Sequence, residues 1–305
     1  MPVPFWKTES FGTIISYLIS QLPATIGYPL ADLIAHFAAN DVMSPGHRAM
    51  RVNQWVVHGG KITPRKLRQV VRQAYYNQAR AIYDFYHYLD RPNDVRRMVT
   101  MTPKFKAMMH EAMQEKQGTL LLMPHLTGFN LGGVLLPLLG FKILTLSYPN
   151  PTVGYRMQNK FRIDHGLEVE PMSVSSWQHA RERLQRGGTV LTGVDRPQEN
   201  QMYGPVFFGK PSALPVAYTQ LALHTGARVF VVGFHTYHDR TCVLDVSDQV
   251  HMEKHPDPHE EKRLNAEKVL LEVEKFIRKD PTQWVMFFPV WPGADADLPA
   301  RFRLK

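Results

Sequence analysis

Cysteine is all but missing from this chain. Cys242 stands alone among 305 residues, so no intramolecular disulfide can form and CxxC metal spacing is absent. That fits a reducing compartment, or a fold that needs no bridges. Cys242 itself reads as a small buried side chain in a strand. Acidic residues are in deficit: 27 Asp and Glu stand against 36 Lys and Arg, for a formal charge of +9. Such a surface attracts phosphate, whether on nucleic acid, anionic lipid or a nucleotide-bearing donor. A long uninterrupted apolar run is lacking too. The stretch Thr13–Ala39 is rich in apolar residues, but Gln21, Pro23, Pro29, Asp32 and His36 break it. It stays short of the roughly 20 apolar residues that span a bilayer. It reads as two short helices, one of which either lies in a membrane interface or packs on the core. Lys7 and Glu9 interrupt what a cleavable signal peptide would need.

Several motifs are missing. There is no GxSxG nucleophile elbow, and Cys242 lies in a different region from His125, which disfavours hydrolase chemistry. Gly132-Gly133 and Gly187-Gly188 are not followed by Gly-Lys-Ser/Thr, so they read as turns or packing sites rather than a phosphate loop. His251, His255 and His259 have the look of metal spacing, but Pro256 and Pro258 break any helix that would align them, and no metal is expected. The basic residues are dispersed and no recognition motif accompanies them, so nucleic acid is not expected as a partner.

What is present is an ordered alternation. Thr63-Pro64 supplies a cap and a first-turn proline. Leu67, Val70, Val71, Ala74, Tyr75, Ile82, Phe85 and Leu89 follow at helical spacing, with Arg65, Lys66, Arg68, Arg72 and Arg80 opposite. That basic face is either turned to a membrane or simply solvated. From Gly118 the texture changes. Thr119–Met123 is a continuous apolar run of the kind found in a strand buried on both sides, and Lys142–Leu146, Thr189–Val194 and Arg228–Phe234 repeat it. Helical stretches lie between. One opens near Ser173 and stops at Gly187-Gly188; another follows Ser212 and stops at Gly226. Asp257-Pro-His-Glu260 carries a cap, a proline and a capping-box glutamate for a helix to about Lys279. Pro281 ends it, and Trp284–Phe288 reads as a last strand. The pattern is α/β: a helical part over residues 1–115, then an α/β domain over 116–305.

The sharpest feature is Pro124-His-Leu-Thr-Gly-Phe-Asn130. A histidine directly after a buried strand sits where α/β sheets place their sites, and its ordinary pKa suits general-base work. A structural histidine in a strand-to-helix turn is the plainer alternative. At this point the chain resembles a family. His125 and its neighbours look like the HxxxxD/E block of glycerolipid and lipid A acyltransferases, in the subgroup of bacterial late acyltransferases whose block reads like HLGNxD or HxGNxE. Asn159–Glu170 resembles that family's arginine-then-Gly-Leu segment, and Gly193-Val-Asp-Arg196 its aspartate-bearing strand end. Val206–Pro211 resembles its Phe-Phe-Gly block, Leu221–Phe230 the helix and strand after it, and Pro281-Thr-Gln-Trp284 its closing segment. The ordered set spans about residues 65 to 291.

The resemblance implies a mixed central sheet flanked by helices, and an acyl transfer with no cofactor. His125 would take the proton of an acceptor hydroxyl on a glycolipid or phospholipid. That oxygen would attack the thioester of acyl carrier protein or coenzyme A. Phe207, Phe208, Gly209 and Lys210 would help form the acceptor or acyl site. Arg162 and Arg196 would contact phosphate or the developing oxyanion, or else form structural salt bridges. An anionic membrane surface at the cytoplasmic face would be the setting. One departure matters: Asn130 stands where the family has its acid. An amide adds no negative charge, and the equivalent change in a serine protease costs about 10⁴ in rate. A slow enzyme, an enzyme that takes its charge from Asp195, and a lipid-binding relative without transfer all remain open.

Overall fold

The computed structural model describes residues 16–198, 203–296, 298, 299 and 302. Lys7, Glu9 and the opening of the Thr13–Ala39 stretch lie outside the described residues.

After a helical stretch at residues 16–21 come α1 (Ala24–Asn40), α2 (Pro45–Val57), α3 (Pro64–Tyr88) and α4 (Pro92–Met98). They lead into β1 (Val99–Met101) and α5 (Pro103–Ala112). The expected strand runs then appear as β2 (Thr119–Met123), β3 (Ile143–Ser147), β5 (Thr189–Gly193) and β8 (Arg228–Thr236), with β4 (Glu168–Pro171) between β3 and β5. The helices α6 (Phe129–Leu138), α7 (Val153–Asp164), α8 (Val174–Gln185) and α9 (Ala217–Thr225) connect them. A two-residue hairpin, β6 (Val206–Phe207) with β7 (Lys210–Pro211), precedes α9; β9 (Cys242–Val246) and α10 (Pro258–Lys279) close the chain. The sheet is seven-stranded and mixed, in the order β1-β9-β8-β2-β5-β3-β4. The β8–β9 pair is antiparallel and every other pair parallel. The edge strand β1 comes from the helical amino-terminal part.

Alternation along β2 divides the core. Leu120 and Leu122 face one apolar cluster, with Val190, Val231, Ala180 and Val269; Leu121 and Met123 face the other, with Leu131, Val134, Val232 and Phe105. A strand that points side chains both ways needs helices on both faces, hence its unbroken apolar run. The long α3 serves both clusters: Leu67, Val70 and Val71 pack into the first, Phe85 into the second.

The local signals hold with two exceptions. Thr63 caps α3 by accepting from the Lys66 N–H, and Asp257 caps α10 by accepting from the His259 N–H. Glu260 does not close a capping box; it pairs with Arg263 one turn on, at 2.6 Å. Trp284–Phe288 does not join the sheet. One bridge, Leu126 to Trp284, is its only ladder contact among the described residues. Val285 N–H donates to the His125 carbonyl, and Asn53 Nδ2 donates to the carbonyls of Met286 and Phe288, each at 2.8 Å. A side chain from α2 therefore replaces a neighbouring strand, and the segment crosses the end of the sheet instead of extending it.

Helix α1 packs the reverse of a usual surface helix. Its small residues Gly27, Ala31, Ala35 and Ala39 are buried. Ile26, Leu33, Ile34 and Phe37 are exposed, Phe37 at 68%. A β-carbon on Gly27 would fall 2.0 Å from the Tyr83 ring of α3, so only glycine allows that approach. Arg80 on α3 ties α1 through Asp32 in a two-bond fork at 2.6 Å, and Arg72 reaches His36. Two members of the expected basic face are thereby used inside the helical layer. No described helix is long and apolar enough to cross a membrane.

Candidate active site

The parallel register of the central strands assembles the site. Met123 at the end of β2 pairs with Gly193 at the end of β5. His125 and Asp195 each lie two residues beyond that pair, and so come side by side at the carboxyl edge of the sheet. His125 Nδ1–H donates to Asp195 Oδ1 at 2.5 Å, while the His125 backbone N–H donates to Oδ2 at 2.7 Å. The Trp284 indole N–H donates to the same Oδ2 at 2.7 Å. Asp195 is wholly buried. A carboxylate sealed from water and held by three donors is fixed in position, and it fixes the imidazole with its proton on Nδ1. Nε2 is left for the cavity that His125 lines.

Room for the ring comes from Gly193. A β-carbon there would lie 2.5 Å from His125 Cε1. The sequence shows this glycine only as the end of an apolar run. Trp284, read there as a strand residue, turns out to be the indole that holds the Asp195 carboxylate.

The cavity has a volume of about 860 Å³. That falls within the few hundred to roughly 1,000 Å³ usual for ligand sites. Its lining includes the apolar side chains Leu136, Ile143, Leu167, Val169 and Leu191, and two cations, Arg162 and Arg196. Arg196 lies between the Tyr148 and Phe288 rings, at 3.6 and 4.1 Å from their centroids. Arg162, on α7, is 8% exposed. Desolvation lowers the pKa of both guanidiniums.

Asn130 lines the cavity but bonds to Arg162, not to His125: its Oδ1 accepts from Arg162 Nη2 at 2.5 Å. The other expected residues are elsewhere. None of Phe207, Phe208, Gly209 and Lys210 lines the cavity. Phe207 is fully buried, stacked on Trp291, whose indole N–H donates to the Phe207 carbonyl at 3.1 Å. Phe208 and Gly209 have φ of 49° and 74°, as a two-residue hairpin turn demands. Arg278 lies over the Phe208 ring, and Lys210 Nζ sits 5.7 Å from the Trp55 ring. The hairpin packs through Phe207 on Trp291 and on Trp284, the indole that donates to Asp195. A Phe-Phe-Gly pattern in sequence cannot distinguish a binding loop from a packed turn.

A family model described as bacterial lipid A biosynthesis acyltransferase matches residues 3–292, nearly the whole chain. No curated protein matches it.

Proposed function

We propose, from the premise that the chain belongs to the bacterial lipid A biosynthesis acyltransferase family, that it moves a fatty acyl chain from acyl carrier protein or coenzyme A to a hydroxyl of a glycolipid or phospholipid. Acyltransferase activity on lipids is the family's general property. The donor, the acceptor and the role of His125 are our reading.

The observation that carries this reading is the Asp195 carboxylate on His125 Nδ1. Nε2 accepts the proton of the acceptor hydroxyl as its oxygen attacks the thioester carbonyl carbon. Asp195 stabilises the imidazolium that forms. The tetrahedral intermediate then collapses: the C–S bond breaks, and the thiolate takes the proton from Nε2 to leave as a thiol. The charge that Asn130 lacks is supplied by Asp195, which favours the active reading over a lipid-binding relative without transfer. The apolar lining of the cavity receives the acyl chain, and its two arginines receive the polar part of a substrate.

The same proposal puts the protein at the cytoplasmic face of the cell membrane, where thioester donors are made, as a peripheral or monotopic protein. Support comes from α1, whose large apolar side chains face outward. It also comes from the chain between Asp41 and Asp84, which holds no acidic residue; beyond Arg51, Arg72 and Arg80, which are engaged within the protein, it carries Arg48, Lys61, Arg65, Lys66 and Arg68. Apolar insertion beside basic side chains is how interfacial helices hold anionic bilayers.

The test is transfer from labelled acyl carrier protein or acyl-coenzyme A to a membrane lipid extract. Wild type transfers, and His125→Ala loses roughly 10³-fold or more. Undiminished transfer by His125→Ala sinks the mechanism. No transfer by wild type with any donor makes the lipid-binding relative the better reading. Flotation with anionic vesicles at low salt checks the membrane contact, which should weaken as salt screens the basic face.

A further inference from the structure

Arg162 is a cation enclosed without a counter-charge. Its hydrogen-bonding partners are neutral: Nη1 donates to Asn159 Oδ1 and Nη2 to Asn130 Oδ1, each at 2.5 Å, and the Tyr155 hydroxyl is a third partner. Asn159 turns its own amide nitrogen to Ser147 Oγ at 3.1 Å, which sets its oxygen toward the guanidinium. The rings of Phe85, Phe129 and Tyr155 stand 5.8, 5.7 and 5.4 Å from the guanidinium carbon. Amide dipoles and ring faces soften a desolvated charge but do not cancel it, and an interior charge left unpaired is expensive. Among the described residues, no Asp or Glu lines the cavity that Arg162 shares with His125 and Arg196. Asp195 lies behind His125 with both oxygens engaged.

Two further features point the same way. A guanidinium has five N–H groups; the two asparagines and the Tyr155 hydroxyl take one each, which leaves two. Asn130 presents its oxygen to Arg162, so its amide N–H groups point away from that cation. Asn130 also lies in the first turn of α6, whose amino-terminal N–H groups have no side-chain cap from Gly128. That end of a helix favours an anion.

We propose that Arg162 and Asn130 form a subsite for a phosphate-type oxyanion carried by one of the two substrates. Phosphate accepts hydrogen bonds from several directions at once, as a guanidinium, an amide and a helix end require. The Phe129 ring separates this subsite from His125: its centroid is 5.6 Å from the imidazole and 5.7 Å from the guanidinium carbon. The anion therefore belongs to a fixed group of the ligand, one ring away from the reacting hydroxyl. Asparagine at position 130 is what keeps the subsite open. A carboxylate there would pair with Arg162 internally and exclude an outside anion. The proposal rests on the acyl-transfer reading for the identity of the substrates, not for the existence of the subsite. The phosphate comes either from the acceptor lipid's headgroup or from the phosphopantetheine arm of the donor.

The full chain is titrated with dodecyl phosphate and with dodecanol, read by thermal shift and tryptophan fluorescence. Wild type should bind dodecyl phosphate at least about ten-fold more tightly than dodecanol. Asn130→Asp, which keeps Arg162 satisfied and so should fold, should lose about that factor for dodecyl phosphate and none for dodecanol. Equal affinity for the two ligands, or an Asn130→Asp variant that binds dodecyl phosphate as wild type does, overturns the proposal. Displacement of dodecyl phosphate by phosphopantetheine assigns the anion to the donor, and displacement by lysophosphatidate assigns it to the acceptor. Displacement by neither overturns the subsite. His125→Ala should bind dodecyl phosphate normally while losing transfer. Phosphate binding without transfer in wild type would therefore fault the mechanism alone, and transfer without phosphate preference the subsite alone.

Discussion

Asp195 and Arg162 are both buried at the same cavity, and they are treated differently. Asp195 accepts from an imidazole, an indole and a backbone N–H. Arg162 meets two amide oxygens and three ring faces, and no carboxylate among the described residues. Both charges are met by neutral dipoles, so the difference lies in how fully each is engaged. Three donors hold the two Asp195 oxygens and fix the carboxylate against His125. Arg162 keeps N–H groups beyond those its neutral partners take, which is the basis of the anion subsite proposed above.

The contrast breaks most sharply at Asp195. Asp195→Asn should lower acyl transfer by roughly 10³ to 10⁴. The amide removes the charge that supports the imidazolium, and its NH₂ must face one of the donors now bound to a carboxylate oxygen. Single-turnover transfer with labelled donor measures this, and a variant within a few-fold of wild type would erase the distinction between the two groups. Gly193→Ala comes next. Its methyl would press on His125 Cε1 and tilt the ring, and a misplacement of about 1 Å costs roughly 10² in rate. Circular dichroism should be unchanged, and full activity would mean that the ring has another place to sit.

Trp284→Phe removes one of the two hydrogen bonds to Asp195 Oδ2 while keeping most of the ring. Leaving that oxygen short of a donor should destabilise the fold by about 1 to 3 kcal/mol and slow transfer about ten-fold, as urea titration and steady-state rates will show. The smallest effect on rate is expected beside Arg162. Asn130→Asp should change transfer by less than about ten-fold, because Asp195 already serves His125. It should raise stability by about 1 to 3 kcal/mol, since it supplies Arg162 with its missing counter-charge. Thermal melts check this, and a lower Tm would mean that Arg162 is already compensated.

Much of this fold can be read along the chain. Thr119–Met123 is apolar without interruption because both faces of β2 are buried. Caps at Thr63 and Asp257 and the stop at Gly226 use contacts within a few residues, so they are visible locally. Trp284–Phe288 deceived because an apolar run looks the same whether it pairs with a strand or with the side chain of Asn53. The apolar richness of α1 was also visible, but not its direction. Only the position of α3 buries the alanines and leaves Phe37 outside.

The site divides along the same line. His125, after its buried strand, was open to view, and Asp195 was a candidate partner for the charge that Asn130 lacks. Their contact was decided by the β2–β5 register, a pairing between residues 70 apart. The same register set Gly193 under the imidazole, and the crossing of Trp284 sealed the carboxylate behind it. Sequence by itself determined which residues carry charge, which stretches must be buried and where helices begin. Tertiary structure decided which charges meet, because opposition across a sheet depends on strand order and register, and neither is written in any local pattern.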